Sequence, residues 1–326
     1  MPMDDDEKRQ DMVDIYCIGE MVIDMIPGSE PGSYLRKAGG APANVAITAA
    51  KNGLKARMAC KVGNDEFGRF LMETLRQNGV GQAVPALCDE AVTTLAFVTL
   101  REDGERVFTF ARKPSADMML SEDEVKESDI DEAAIIHAGS CSLSAHPERE
   151  ATEKALRMAH EKGKLVSFDV NYRNLMWEDD LTACTEAVMG VLPCVDMLKI
   201  SEEEAGMLGG EASFQQLMEK NGLTMLVETL GSQGAKAFFG NQTIEVPGQR
   251  VKAVDATGAG DAFWGAFLSY LRFHQVTKTA DISADLIRDG MNYGNVSGCL
   301  CVQSKGAISS IPTRQQIEAY LAGRKE

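Results

Sequence analysis

Several common enzyme classes are excluded by motifs that the sequence does not contain. The pattern G-x-x-x-x-G-K-[ST] is absent, so the chain is not a P-loop enzyme. The G-x-G at residues 258–260 lacks the third glycine of a dinucleotide-binding fingerprint. Neither G-x-S-x-G nor H-E-x-x-H occurs, which removes the usual serine-hydrolase and zinc-protease signatures. Any phosphate chemistry must therefore depend on a different glycine-rich element.

Cysteine and histidine, the usual ligands of structural zinc, are few and scattered. The chain has eight cysteines and four histidines, and it has no C-x-x-C. Cys299 and Cys301 are two residues apart, with no cluster of histidine or cysteine beside them. This pattern favours free thiols in a reducing compartment over a zinc site or a disulfide framework. The acidic first 14 residues lack the apolar core of a signal peptide, so a cytoplasmic location is expected.

Positive charge and long hydrophobic runs are also scarce. Lysine and arginine number 33 against 49 aspartates and glutamates, which gives a formal net charge of −16. Nucleic-acid and anionic-membrane binding need a basic surface, so neither is expected. No apolar run approaches the roughly 20 residues of a membrane helix. A phosphorylated small molecule is still compatible with this charge, because backbone dipoles and one or two cations can outweigh it locally.

The sequence does contain a regular alternation of short apolar runs and helical patterns. The runs that predict strands are residues 15–26, 133–137, 164–170, 197–200 and 223–227. Because most of them are apolar without a period of two, we expect an α/β fold in which helices cover both faces of a mostly parallel sheet. Two β-prone runs flank Asp103-Gly104, which predicts a hairpin. Residues 15–26 and this hairpin are expected to form a small separate sheet, preceded by a flexible acidic tail at residues 1–14.

Residues 254–270, V-D-A-T-G-A-G-D-A-F-W-G-A-F-L-S-Y, join a glycine-rich turn to an apolar run long enough for a helix. Glycines before a helix leave backbone N–H groups aimed at one point, where the helix dipole favours an anion such as phosphate. A phosphate would repel Asp261 there unless this carboxylate accepts the proton of an attacking hydroxyl. The alternative is a tight turn in which Asp261 only caps the helix.

Two further stretches place polar groups where a ligand could bind. Residues 38–44, A-G-G-A-P-A-N, combine paired glycines with Asn44, whose amide both donates and accepts hydrogen bonds. Residues 169–173, D-V-N-Y-R, end a buried strand at the edge where open α/β sheets bind ligands. Asp24, late in the first strand, could accept from two vicinal hydroxyls. Each feature also fits a simpler role, as a turn or as a solvated charge.

Together these stretches resemble the ribokinase-like family of sugar kinases, also called the phosphofructokinase B family. G-G-A-P-A-N at residues 39–44 matches its N-terminal signature, and D-A-T-G-A-G-D at residues 255–261 matches its C-terminal signature. Ala256 is a departure, since the family usually has Thr, Ser, Pro or Val there. The resemblance covers about residues 16–321. It is strongest to the fructokinase branch, for example through G-E-M-V-I-D at residues 19–24.

This resemblance implies a ribokinase-like three-layer α/β/α fold with a mostly parallel central sheet. A small β-sheet lid would come from about residues 15–37 and 93–112, within a single kinase domain of residues 15–326. Lids of this kind often form dimer contacts in relatives, so a homodimer through the lid is expected. ATP and Mg²⁺ are the implied cofactors, together with K⁺ in many relatives.

The resemblance also assigns site residues in four groups. Asp261 would be the catalytic base, with an anion hole at Gly258, Ala259 and Gly260. The sugar would be bound by Asp24, Gly39, Gly40, Asn44, Arg112 and Arg173. The nucleotide would be bound by Lys199, Glu204, Thr229, Gly231, Gly234 and Asn295, although Ser201 replaces the Asn of the family's N-x-x-E motif. A monovalent cation would be bound by Asp255, Thr257, Gly306 and Ser310.

The implied activity is ATP-dependent phosphorylation of D-fructose to fructose 6-phosphate. The same chemistry on 2-keto-3-deoxygluconate or ribose is the first alternative, because related branches share nearly all of the motifs. A non-catalytic sugar or nucleotide sensor on the same fold is an alternative of another class. Such a sensor could lose its base without cost, so the presence of Asp261 with its glycines argues against it.

Overall fold

The structure of the protein is a computed structural model that describes residues 12–30, 32–100 and 106–323. Its strands, in chain order, are β1 (Val13–Ile18), β2 (Val22–Pro27), β3 (Tyr34–Gly39), β4 (Ala56–Ala59), β5 (Val62–Gly63), β6 (Val80–Gln82), β7 (Leu87–Cys88), β8 (Leu95–Leu100), β9 (Arg106–Ala111), β10 (Ala133–Gly139), β11 (Leu165–Asp169), β12 (Met197–Ser201), β13 (Met225–Thr229), β14 (Gly234–Phe239) and β15 (Gln242–Pro247).

Helices connect most of these strands. They are α1 (Ala41–Lys51), α2 (Glu66–Gln77), α3 (Glu127–Glu132), α4 (Glu148–Glu161), α5 (Leu181–Val191), α6 (Glu211–Asn221), α7 (Ala259–Phe273), α8 (Ala284–Cys301), α9 (Ala307–Ser310) and α10 (Arg314–Ala322). Within the described residues, no helix is long and apolar enough to cross a membrane.

A nine-stranded sheet forms the centre of the molecule, in the order β15-β14-β13-β12-β11-β10-β1-β4-β6. The seven strands from β13 to β6 are parallel, whereas at one edge β14 pairs antiparallel with both β13 and β15. Alternate residues of β1 pack into two separate cores. Ile15 and Cys17 belong to a core that includes residues of α1, α7 and α8, and Tyr16 and Ile18 belong to a core that includes residues of α4, α5 and α6. The prediction of a mostly parallel sheet covered on both faces is therefore confirmed.

A second, four-stranded sheet has the order β3-β2-β8-β9. The prediction that this small sheet begins at residue 15 is wrong, because β1 pairs in parallel with β10 and β4 inside the central sheet. The physical reason is burial: the side chains of residues 15–18 are buried in the two cores, as a central strand requires. The chain then turns at Gly19, whose φ of +143° favours glycine, and enters the small sheet at Val22.

The predicted acidic tail ends earlier than residue 14, since Val13 and Asp14 already belong to β1. Residues 1–11 of that tail lie outside the described residues, as does the predicted Asp103-Gly104 turn. The strands on either side of that turn, β8 and β9, are antiparallel, as a hairpin requires.

Helix α7 is held against the central sheet and against α1 by two close contacts. The indole Nε1 of Trp264 donates to Ser167 Oγ on β11 at 2.8 Å, and His137 Nδ1 on β10 lies 3.0 Å from the same oxygen. At the next residue, Gly265, α7 meets α1, and an added Cβ there would lie 2.6 Å from the Cβ of Thr48. The lack of a side chain at Gly265 therefore sets the distance between the two helices.

We expect Gly265→Ala to lower the free energy of unfolding by about 1–3 kcal/mol, because overpacking of a tight contact forces the helices apart. Denaturant unfolding measures this change. Gly190→Ala is the matched control: this helical glycine is exposed, and an added Cβ there meets nothing within 4 Å. The control should gain up to about 0.5–1 kcal/mol from helix propensity. A Gly265→Ala protein as stable as the control would contradict the packing argument.

Candidate active site

The glycine-rich turn at residues 255–260 ends directly at the N-terminus of α7. Gly258 is the N-cap residue with φ +77°, in the left-handed region, and an added Cβ would lie 2.6 Å from the Cβ of Ala307. The N–H of Ala259 donates to Ala256 O at 3.2 Å. Among the described residues, the N–H groups of Gly258 and Gly260 donate no hydrogen bond to a backbone carbonyl of the turn. Two backbone donors are therefore available at a helix N-terminus, as an anion site requires.

Asp261 lies in the first turn of α7 and is 6% exposed. Its Oδ2 accepts a 2.7 Å hydrogen bond from the side-chain amide of Asn44, in the first turn of α1. Its Oδ1 accepts a 3.1 Å hydrogen bond from the amide of Asn171, which follows β11. Two amides from different parts of the chain therefore fix the plane of the carboxylate. Each oxygen retains lone-pair capacity for one further proton donor.

A buried ion pair lies beside this turn. Lys199 Nζ on β12 donates to Asp169 Oδ2 at the end of β11 at 2.8 Å, and an added Cβ on Gly260 would lie 3.5 Å from the same Nζ. Burial works against the ammonium form, but Asp169 and Glu204 outweigh it, so the pKa of Lys199 is raised. Burial raises the pKa of Asp169 to about 6, although Lys199 opposes that rise. Lys199 thus places a positive charge next to the free N–H groups of the turn.

Glu204 holds two backbone segments of the site rather than a side chain. Its Oε1 accepts from the N–H of Tyr172 at 2.6 Å, and its Oε2 accepts from the N–H of Ser201 at 2.8 Å. The Ser201 hydroxyl accepts from the N–H of Glu204 in return at 3.3 Å. The serine that replaces the family's asparagine therefore still closes this turn.

Asp24 on β2 faces the paired glycines at the start of α1. A Cβ placed on Gly39 would lie only 2.5 Å from Asp24 Oδ2, so a side chain there would displace the carboxylate. Burial raises the pKa of Asp24 to about 6, and the nearby Arg173 guanidinium opposes this rise. Arg173 itself is exposed and donates to Tyr172 O at 3.1 Å. The structure therefore brings a carboxylate and glycine backbone together, near a guanidinium that also interacts with Asp261.

Arg112 is not presented openly to this cleft. Its Nε donates to Asp117 Oδ2 at 2.8 Å, and its Nη1 donates to Ser144 Oγ at 3.0 Å. Its Nη2 lies 3.9 Å from the fully buried carboxyl of Glu148. Arg112 thus anchors the end of β9 to the central domain, and its predicted contact with substrate stays a prediction.

Four of the six residues predicted for the nucleotide, Thr229, Gly231, Gly234 and Asn295, lie around the end of β13. Thr229 ends that strand, and the turn after it contains Gly231 and Gly234, with φ of +54° and +109°. Gly234 pairs with Pro247 at the end of β15. Asn295 of α8 reaches the same place, where its amide donates to Pro247 O at 3.3 Å.

The residues predicted for a monovalent cation are also mostly brought together. Asp255 Oδ1 accepts from the N–H and the hydroxyl of Thr257, at 3.0 and 2.7 Å, and its Oδ2 accepts from the N–H of Gly306 at 3.0 Å. The hydroxyl oxygen of Ser310 is buried without a hydrogen-bond partner in the structure.

Sequence reasoning did not assign a role to Asn171 or Asp169. Both belong to the D-V-N-Y-R cluster at the end of β11, and that cluster was the available signal. Asn171 has φ +41°, a left-handed conformation that asparagine tolerates better than most residues, and this turn directs its amide to Asp261. Only the crossing of the chain segments in three dimensions shows which side chain of the cluster meets the carboxylate.

Fold and site together define an α/β enzyme that transfers a phosphoryl group to a small alcohol. The model of the pfkB family of carbohydrate kinases matches residues 12–314, and the chain belongs to this family. It is therefore a sugar kinase with the ribokinase-like fold.

Individual relatives agree with this assignment. Fructokinase-1 of Zea mays is 39% identical over 313 residues, which cover 93% of this chain and 96% of that protein. A crystal structure of a Xylella fastidiosa fructokinase with bound ATP has a TM-score of 0.87 at 30% identity, covering 96% of this chain and 99% of that one. A Vibrio cholerae fructokinase with fructose, ADP and calcium ion bound has a TM-score of 0.83 at 33% identity, covering 95% and 99%.

We expect Asn171→Asp to lower the kcat of sugar phosphorylation by about 10-fold or more, equivalent to about 1.4 kcal/mol or more in activation free energy. The change removes the N–H donor and places a second carboxyl against Asp261 at almost constant size. Asn174→Asp is the control, because this exposed amide donates to Asp179 in the same way, at 2.8 Å. Coupled ADP release measures both variants. Equal kcat in both would show that Asn171 does not orient Asp261.

Proposed function

We propose that the protein is an ATP-dependent fructokinase that phosphorylates the primary hydroxyl of D-fructose with Asp261 as general base. The observation that carries this proposal is the position of the Asp261 carboxylate. Two amides fix it beside an anion site made of a glycine-rich helix N-terminus and Lys199. Fructose is the proposed substrate because fructokinases from a plant and from bacteria are similar to the chain over nearly its whole length.

In the proposed reaction, a sugar hydroxyl lies within hydrogen-bond reach of Asp261, which accepts its proton as the new O–P bond forms. The N–H groups of Gly258 and Gly260, together with Lys199, stabilise the negative charge on the transferred phosphoryl group. Asp24 accepts hydrogen bonds from other hydroxyls of the sugar, and the backbone at Gly39 and Gly40 lets the ring approach closely. Asn44 both orients the base and offers its buried Oδ1, which has no hydrogen-bond partner in the structure.

The nucleotide would bind along Lys199, Glu204, Thr229, Gly231, Gly234 and Asn295. Among the described residues, no cluster of three or more His, Cys, Asp or Glu side chains could hold a metal ion alone. Mg²⁺ is proposed to arrive with ATP, which is its usual way of binding. Asp169 Oδ1, beside Lys199, is a buried acceptor without a hydrogen-bond partner among the described residues. The ion would neutralise phosphate charge. K⁺ is proposed at Asp255, Thr257, Gly306 and Ser310.

The small sheet is proposed to act as a lid that closes over the sugar and excludes water, the competing acceptor. Its strand β3 exposes Tyr34 and Leu35, which are apolar surfaces suited to a homodimer through the lid. We propose a single kinase domain, with the boundary of the lid corrected to begin at Val22. A cytoplasmic location fits cysteines kept as reduced thiols, and seven of the eight are buried.

We expect Asp261→Asn to lower kcat by at least about 10²-fold, the usual size of a general-base effect. An asparagine amide is not basic enough to take the proton from the sugar hydroxyl. The side chain nevertheless keeps the size of aspartate and the same position in α7. Coupled ADP release from MgATP and fructose measures kcat, and the thermal unfolding midpoint shows that the variant folds. A folded variant with near-normal turnover would rule out the base role of Asp261.

The substrate proposal is tested by a panel of sugars with MgATP and K⁺: fructose, ribose, 2-keto-3-deoxygluconate, tagatose, glucose and a blank without sugar. Turnover on fructose alone would support the fructokinase proposal. Faster turnover on another sugar would keep the mechanism and replace the substrate. Sugar binding without turnover on any member of the panel would instead favour a sensor.

Asp24 predicts a pH dependence of sugar binding. Because its pKa is raised to about 6, Asp24 is ionised above pH 6 and becomes protonated as the pH falls through 6. An ionised carboxylate accepts stronger hydrogen bonds than a protonated one, so we expect the KM for sugar to rise several-fold from pH 7.5 to pH 5. Asp24→Asn should have a high KM for sugar that no longer changes between pH 7.5 and pH 5. A wild-type KM that is constant over this range would contradict a sugar contact by Asp24.

A further inference from the structure

A buried carboxyl that the mechanism above does not use is that of Glu20, which is 3% exposed. It lies in residues 19–21, where the chain leaves β1 of the central sheet and enters β2 of the small sheet. Its Oε1 accepts a 2.8 Å hydrogen bond from the N–H of Ala41, and its Oε2 is buried without a partner in the structure. Glu20 thus contacts the start of α1 from a segment distant in sequence.

This contact supplies a cap that the sequence of α1 lacks. The N-cap residue is Gly40, which has no side chain, and the second helical residue is Pro42, which has no N–H. A helix N-terminus of this kind needs an acceptor from elsewhere to satisfy its first donors. Glu20 provides that acceptor, and its negative charge also lies at the favourable end of the helix dipole.

The two chain crossings that meet here are packed without space between them. A Cβ added to Gly40 would lie 2.4 Å from the backbone O of Glu20, and one added to Gly19 would lie 2.8 Å from Pro42 Cγ. Gly40 connects β3 of the small sheet to α1, whereas Glu20 lies between β1 of the central sheet and β2 of the small sheet. The hydrogen bond between Glu20 and Ala41 therefore joins both crossings.

The capped turn leads directly to the proposed base. The N–H of Asn44 donates to Gly40 O at 2.9 Å, which closes the first turn of α1. From that turn, the Asn44 amide reaches Asp261 Oδ2 at 2.7 Å. A shift of the turn at Ala41 would therefore move the Asn44 donor relative to the carboxylate that it orients.

We propose that Glu20 is a positioning residue for phosphoryl transfer, which caps α1 from the neighbouring crossing and so holds Asn44 against Asp261. This inference rests on the proposed role of Asp261 as general base. Glu20 does not touch the reacting atoms in this scheme. It acts through the backbone of α1, and its effect must therefore appear at Ala41 and Asn44 as well as in turnover.

The surroundings of Glu20 add a pH dependence. Burial raises the pKa of Glu20 to about 7, and the carboxylates of Asp117 and Asp261 add to this rise. The other titratable groups that interact with it are Glu148, Cys60 and Cys141. Above pH 7 the ionised carboxylate accepts a charge-assisted hydrogen bond from Ala41, about twice as strong as a neutral one. The cap therefore strengthens as the pH rises through 7.

Two variants separate the cap from its charge. Glu20→Ala removes the acceptor, and we expect its kcat to fall about 10-fold while its KM for ATP changes little. The amides of Ala41 and Asn44 should also exchange faster with solvent hydrogen in this variant. Glu20→Gln keeps a neutral acceptor of the same size, so it should restore slow exchange and most of the kcat at pH 6. The wild type should show a rise of kcat/KM between pH 6 and 8 that Glu20→Gln lacks. The change in the KM for sugar near pH 6, which comes from Asp24, should remain in this variant.

Asp196→Asn is the matched control, because this half-buried carboxylate also accepts a hydrogen bond from one backbone N–H, that of Val166 at 2.8 Å. Asp196 directly precedes β12, so it lies at the N-terminal end of that strand, away from the site. Its pH profile should equal that of the wild type. The proposal is overturned if Glu20→Ala keeps wild-type kcat and exchange rates, or if Glu20→Gln keeps the wild-type profile. Should Glu20→Ala not fold, Glu20→Gln decides alone. Wild-type enzyme without turnover on any sugar would refute the proposed function, whereas amide exchange would still test the cap.

Discussion

The burial of one carboxylate constrains most of this structure. Asp261 is almost inaccessible to solvent, so both of its carboxylate oxygens need hydrogen-bond donors. Leaving such a buried charge unpaired would cost on the order of several kcal/mol of stability. The donors Asn44 and Asn171 come from α1 and from the end of β11. Helices α1 and α7 must therefore stay in register with each other and with the central sheet, and the close approach at Gly265 permits this.

The electrostatics of the site oppose the average charge of the protein. A chain of net charge −16 gathers further carboxylates around the cleft, including Asp24, Asp169 and Glu20, whose pKa values are all raised chiefly by burial. An anionic ligand would find little attraction there without local donors. The backbone N–H groups at the N-terminus of α7 and the ammonium of Lys199, which lies on β12 beside Gly260, provide these donors. Position, rather than total charge, thus decides which ligand the site can bind.

The small sheet is tied to this site by its chain crossings. One pair of crossings meets at Gly40 and Glu20, and the segment after β9 is anchored by Arg112, which pairs with Asp117 and donates to Ser144. Both anchors lie next to residues that belong to or hold the cleft. A movement of the small sheet would therefore displace the first turn of α1, which carries Asn44. The proposed lid and the proposed base are mechanically connected through a few buried polar contacts.

The sequence alone determined the layered α/β fold, the glycine-rich turn before α7 and the two family signatures, because these depend on local periodicity and on residue types at fixed spacing. Only the tertiary structure decided that β1 belongs to the central sheet and that Asn171 meets Asp261. It also decided that Arg112 pairs with Asp117 and that Glu20 caps α1. These features depend on contacts between distant segments, and no local pattern specifies which segments will cross.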